Sequence, residues 1–210
     1  QGYHGDMDAY FLAKRRVFEV LESDRPAIIN IADEAGRRML AFVRQRGGTA
    51  ITCGAEDADV RTENVQSGPT GSRFLLHTPI GSSEVRCEMP GAFNVANVAT
   101  AAAVGIALGA GLADIVEGIE NLAPVPGRME RFVLPDTDAV VVVDYAHTHV
   151  GLANALQALA DVRERSPGRG RLSVVFGCGG DRDPGRRPRM GRVASACHHP
   201  RHHGRRLGRL

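Results

Sequence analysis

AVVVVDYAHT (Ala139–Thr148) and RLSVVFGCGGDRD (Arg171–Asp183) each run through continuous apolar residues and then stop on turn-forming ones. Neither run alternates apolar with polar, which is the pattern of strands buried on both faces, as in parallel sheets. Between them Leu152, Ala155, Leu156, Leu159 and Val162 recur at helical spacing. Strand, helix, strand predicts a βαβ unit, parallel and right-handed, with both strand ends at the carboxyl edge where open α/β sheets bind ligands.

Upstream the order stays mixed α/β. After Asp6, an N-cap residue, Met7, Tyr10, Phe11, Val17, Phe18 and Leu21 recur at helical spacing, and Lys14 falls on that same face. Arg15 and Arg16 are expected on the wet side. PAIINIAD reads as a strand, EAGRRMLAFVRQ as a helix ended by Gly47 and Gly48, and TAITCG, RFLLHTP and EVRCEMP as further strands. Two helices follow, from near Asn94 and near Asp114, the second with Ile115, Ile119 and Leu122 as its stripe. APVPGR, Ala123–Arg128, breaks the pattern with two prolines and a glycine. Such a break reads as a domain boundary, which predicts units over 1–125 and 126–194 and an atypical His/Arg-rich tail over 195–210.

Composition fits a globular protein: 43% apolar and 24% charged residues, with a formal charge of +2. The charge is uneven, because the residues from Arg186 onward are rich in arginine and histidine and contain no acid. No aromatic residues interleave with those arginines, so a nucleic-acid partner is not expected. The cysteines Cys53, Cys87, Cys178 and Cys197 show no CxxC pairing, which suggests reduced thiols in a cytoplasmic protein. No secretion leader is visible. Met89–Ala113 is long and uncharged, but Pro90, Asn94, Asn97 and its alanine and glycine content point to a buried helix of small residues rather than a membrane span.

Lys14 is the single lysine among twenty-six basic residues. On a dry helix face its neutral amine is available to electrophiles, carbon dioxide included; equally, its stem packs while its head snorkels to water. Asp144 and His147 follow an apolar strand, where a carboxylate commonly reads a ribose hydroxyl or simply forms the turn. FGCGGDRD offers backbone amides to an anion, with Arg182 to clamp a carboxylate or phosphate, or is plain turn chemistry. The G-x-x-x-x-G-K-[ST] pattern is absent, since Lys14 lies in no such context.

Six segments, YHGDMDAYFLAK, AIIN...DE.GRR, MPGAFNVANVATAAA, PVPGRMERF, VVVDYAHT and VFGCGGDRDPGRRPRMG, resemble in order the Mur ligases, from residue 3 to about residue 194. The resemblance is nearest to the branch that adds diaminopimelate or lysine to UDP-N-acetylmuramoyl-L-alanyl-D-glutamate. It implies an α/β fold: part of the family's P-loop-type central domain, then part of a Rossmann-like carboxyl-terminal domain.

The resemblance further implies ATP and Mg2+ as cofactors, and a UDP-N-acetylmuramoyl dipeptide plus an amino acid as substrates. The position of Lys14 is carbamylated in the family and helps hold magnesium. Asn94 and Asn97 match neighbours of adenine, Arg128 a contact to the γ-phosphate, Asp144 a contact to ribose, and His147 and Arg182 positions near the incoming amino acid. The family's UDP-binding domain, P-loop and metal-ligand histidine fall outside the matched segments, so an internal fragment, inactive by itself, is expected. Its DYAHT is usually followed by Pro-Asp, where this chain has His149 and Val150. A folylpolyglutamate-synthase-like ligase and a non-catalytic nucleotide-binding module are the alternative readings.

Overall fold

Ala27–Asn30 (β1) and Ala50–Cys53 (β2) pair in parallel, in register from Ala27 opposite Ala50 to Asn30 opposite Cys53. Parallel neighbours need a crossover to bring the chain back, and the helix Glu34–Gln45 (α2) supplies it. Its start is set by Asp33, whose carboxylate accepts from the Gly36 amide at 2.8 Å. Just beyond its end Gly47 takes φ 74°, a conformation natural to glycine. The βαβ unit of this chain therefore lies at residues 27–53.

Among the described residues the parallel unit expected at 139–176 is not formed. Val140–Val143 (β7) pairs antiparallel with Glu130–Val133 (β6) in a two-stranded sheet. Residues 170–178 form no strand, and Val175 is wholly exposed. An apolar run predicts a buried strand only where helices cover both faces. Here the hairpin's own Val133, Val140, Val141 and Val143 remain open.

The structure, a computed structural model, describes residues 7–22, 24–68, 70–137, 139–165, 170–178 and 185–197. Two compact units are present, 1–145 and 146–210. In the first, Arg61–Gly68 (β3), Gly71–Thr78 (β4) and Gly81–Cys87 (β5) form an antiparallel meander. Asn64 and Val65 together stand opposite Phe74, a bulge, and Asn64 adopts the left-handed φ of 54° that asparagine tolerates.

The inner face of the meander carries Phe74, Leu76 and Val85, each at most 2% exposed. It packs against Ala92–Ala107 (α3) and Leu112–Glu120 (α4). Ala99, Ala102 and Ala103 of α3 are buried in this core, as expected of a small-residue helix that lets backbones approach. Ile115 and Ile119 are the buried stripe of α4; Leu122, expected to join them, lies past the helix end and is exposed. Among the described residues no helix is long and apolar enough to cross a membrane.

Cys53 is fully buried, with Sγ 3.3 Å from Thr100 Oγ1, and Cys87 is buried in the same core. Burial pushes both thiols above their ordinary value. The thiolate is the reactive form, so both are expected to resist iodoacetamide at neutral pH until the chain unfolds, while the half-buried Cys178 reacts ahead of them. A labelling time course read site by site in a mass spectrometer checks this. Early modification of Cys53 would contradict it.

In the second unit His149–Arg165 (α5) packs on Arg186–Cys197 (α6), with Leu152, Leu156 and Met190 buried between them. Thr148 caps α5: its Oγ1 accepts from Gly151 N at 3.0 Å. The helix thus starts without the Pro-Asp pair of the family pattern. Pro188 sits in the first turn of α6, where its missing N–H breaks no helical bond.

Candidate functional site

A turn at residues 125–129 brings together two of the residues singled out in the sequence. Pro126 and Gly127 are the central pair of a type II turn, closed by Arg128 N donating to Val125 O at 3.0 Å. Position three of such a turn requires positive φ, and Gly127 has 68°. Met129 follows at φ 51° although it carries a side chain, and that side chain is buried. Asp144 holds it there, its Oδ2 accepting from Met129 N at 3.0 Å.

Gly127 is fixed at both polar atoms. Its N–H donates to Glu130 Oε2 at 2.8 Å, and its carbonyl accepts from Tyr145 N at 2.7 Å. The antiparallel register explains the meeting: Glu130 stands opposite Val143, so Asp144 and Tyr145 emerge alongside the turn. Three successive amides, 127 to 129, are thereby consumed within the protein. An anion arriving here meets the Arg128 side chain rather than a backbone nest. Arg128 is exposed, and its guanidinium lies 5.3 Å from the centre of the Tyr145 ring.

Asn94 and Asn97 form a second pair, on the first turns of α3. Asn94 is 4% exposed, and its Nδ2 donates to Pro90 O at 2.8 Å. Its Oδ1 is 3.5 Å from Asn97 Nδ2. Asn94 therefore fixes the entry to the helix, while Asn97 is exposed and offers an amide that both donates and accepts.

Lys14 is not on a dry face. The helix Met7–Glu19 (α1) has no buried residues, and Lys14 is exposed, its Nζ 5.5 Å from the Tyr10 ring centre. The helix touches the core through Phe11 and Phe18. At roughly 100° per residue, Lys14 and Arg15 each lie about 50° from that line, on opposite sides. Periodicity leaves a tie, and α2 breaks it: Phe42 receives the Arg15 guanidinium at 4.6 Å, and Glu19 pairs with it at 2.9 Å. Planar guanidinium stacks where ammonium does not.

His147 is exposed in the second unit, before α5. Arg182 and Asp6, with the segment from residue 198 onward, lie outside the described residues. No group of three His, Cys, Asp or Glu side chains is arranged to hold a metal among the described residues. Lys14 alone does not make a magnesium site.

Residues 1–105 match the family model of the Mur ligase middle domain, and residues 127–202 that of the Mur ligase, glutamate ligase domain. The chain belongs to the Mur ligase family. This Mur ligase chain is 43% identical over 197 residues to the UDP-N-acetylmuramoyl-L-alanyl-D-glutamate--2,6-diaminopimelate ligase of Alkalilimnicola ehrlichii, an alignment covering 92% of the chain and 38% of that relative. It thus spans well under half the length of such relatives. MurF from Acinetobacter baumannii matches with a TM-score of 0.68 at 26% identity, over 79% of this chain and 35% of that one. A solved UDP-N-acetylmuramoyl-L-alanyl-D-glutamate--2,6-diaminopimelate ligase matches with 0.63 at 32%, over 94% and 40%. The folylpolyglutamate synthetase of Lactobacillus casei, at 18% identity and 0.58, shares the fold.

The sequence reading missed Tyr145 and Glu130 as parts of the site. Both sit inside segments it had quoted, PVPGRMERF and VVVDYAHT, but only the hairpin register shows that one holds the other's turn.

Proposed function

We propose that the chain is a segment of a cytoplasmic ATP-dependent ligase that adds diaminopimelate, or L-lysine, to UDP-N-acetylmuramoyl-L-alanyl-D-glutamate. The observation that carries this is the turn that fixes Arg128 beside Asp144 and Tyr145. A guanidinium and a carboxylate held on one rigid element suit the phosphate and ribose ends of a nucleotide. Identity of 43% and 32% to ligases named for 2,6-diaminopimelate supports this choice of substrates.

In this reading residues 1–125 belong to the ATP-binding domain, 126–194 open the carboxyl-terminal domain, and 195–210 are an atypical tail. Asn97, set by Asn94, faces adenine; Asp144 bonds ribose; Arg128 meets the γ-phosphate; His147 and Arg182 approach the incoming amino acid. ATP phosphorylates the glutamyl carboxylate, and the amine attacks the acyl phosphate with release of phosphate. Arg128 then offsets charge spread over the transferring group. Magnesium, when bound, would neutralise phosphate oxygens, with Lys14 contributing a carbamate.

Grafting tests this. The chain replaces the corresponding segment of the Alkalilimnicola ehrlichii ligase, and incorporation of diaminopimelate and of lysine is measured. Incorporation of either supports the proposal; a folded, ATP-binding chimera that incorporates neither sinks it. In an active chimera Lys14→Ala is expected to lower turnover about a hundredfold, the scale of one lost charge-stabilising group. Added formate or acetate should restore part of it. Lys14→Arg should not recover, since guanidinium is never deprotonated in a protein. Unchanged turnover in Lys14→Ala would remove the carbamate role.

A further inference from the structure

We infer that Tyr145 is a positioning residue for Arg128, presenting its guanidinium to a terminal phosphate before nucleotide arrives. This deepens the nucleotide-ligase reading above and rests on it. The geometry has three parts. First, the backbone beneath Arg128 has little freedom: Gly127 is tied to Glu130 and Tyr145, Arg128 to Val125, and Met129 to Asp144. Second, the same Tyr145 whose amide pins Gly127 at 2.7 Å puts its ring under the Arg128 guanidinium at 5.3 Å. One residue therefore sets both the root and the tip of the arginine.

Third, a cation seated over an aromatic ring is held by the ring's π face rather than by an acceptor atom, which leaves its N–H donors available to another partner. Among the described residues Arg128 forms no ion pair. This differs from Arg37, whose two terminal nitrogens are both committed to Asp57 at 3.0 Å. Arg37 is a structural arginine with its fork filled. Arg128 is held over a ring with its fork uncommitted to any carboxylate among the described residues, and the turn's own amides are already spent. Discrimination for a third phosphate then falls to this one side chain.

The test uses the full 210-residue chain and three variants, Tyr145→Leu, Tyr145→Phe and Arg128→Ala. In the nucleotide-free protein, the Arg128 side-chain resonances are expected to show a ring-current shift that is lost in Tyr145→Leu and kept in Tyr145→Phe. Calorimetry then compares ATP with ADP. The preference for ATP is expected to fall about two- to five-fold in Tyr145→Leu, the scale of an exposed cation–π contact. It should survive in Tyr145→Phe and be lost most completely in Arg128→Ala. A shift unaltered by Tyr145→Leu overturns the positioning role, and so does a full ATP preference in a variant that has lost the shift. If the parent chain binds neither nucleotide, it is the nucleotide reading that fails for this chain, and the resonance shift alone decides whether Tyr145 holds Arg128.

Discussion

Gly36→Ala is expected to destabilise the first unit by about 3 kcal/mol or more, the upper range of overpacking. A methyl group at Gly36 would overlap the carbonyl oxygen of Asn30 and crowd the backbone at Ile31. Both obstacles are main chain at the end of β1, so no rotamer change relieves them. Gly36 lies in the first turn of α2, and the crossover brings that turn directly onto the strand that precedes it. The glycine of the AIIN...DE.GRR segment is thus explained by close approach of helix to strand. Urea unfolding followed by circular dichroism measures the effect; a midpoint equal to the parent's would show that the helix can lift away without cost.

Phe74→Ala should cost about 3–5 kcal/mol, the usual loss for a large aromatic removed from a core. Phe74 is 2% exposed and belongs to the cluster formed by the meander with α3 and α4. The cavity would open beneath the helix that carries Asn94 and Asn97, so the loss is expected to reach nucleotide binding as well as stability. Phe74→Leu keeps most of the volume and should retain most of both. If Phe74→Ala shifts the urea midpoint no more than Phe74→Leu does, the core is adaptable there and the helix is held by something else.

Much of the fold was legible because some signals are local. EAGRRMLAFVRQ carries its cap, its apolar stripe and its terminating glycines, and α2 spans those same residues. The small-residue helix α3 was equally plain. β3 was not, because RTENVQSG has one large apolar residue, Val65, and that residue sits in the bulge. Its strand character comes from pairing with β4 on each side of the bulge, a tertiary fact. α6 was missed for the related reason that, among its described side chains, only Met190 is fully buried, with Val193 half-buried beside it.

The run AVVVV was read as a strand correctly and given the wrong neighbour. An apolar run reports that a strand wants cover; it does not report which strand lies beside it. The site shows the same division. Asp144 was singled out by its place after an apolar strand and Arg128 by resemblance, and their meeting depends on a register between β6 and β7 that no periodicity encodes. Lys14 marks the limit of helical-wheel reasoning: two cations stood equally near the inner line, and an aromatic ring on a different helix took the one with a planar head.

The meander has a consequence for the order of assembly. β3, β4 and β5 follow one another through tight turns, so their pairings join residues close along the chain. Pairing β1 with β2 instead waits for the whole of α2 to be made and docked. Loop closure favours near neighbours, and local contacts form faster. When the whole chain refolds from denaturant, the meander is expected to close first. With α3 and α4 it then offers the surface on which β1 and β2 settle, through Ile28 and Ile51 against its core.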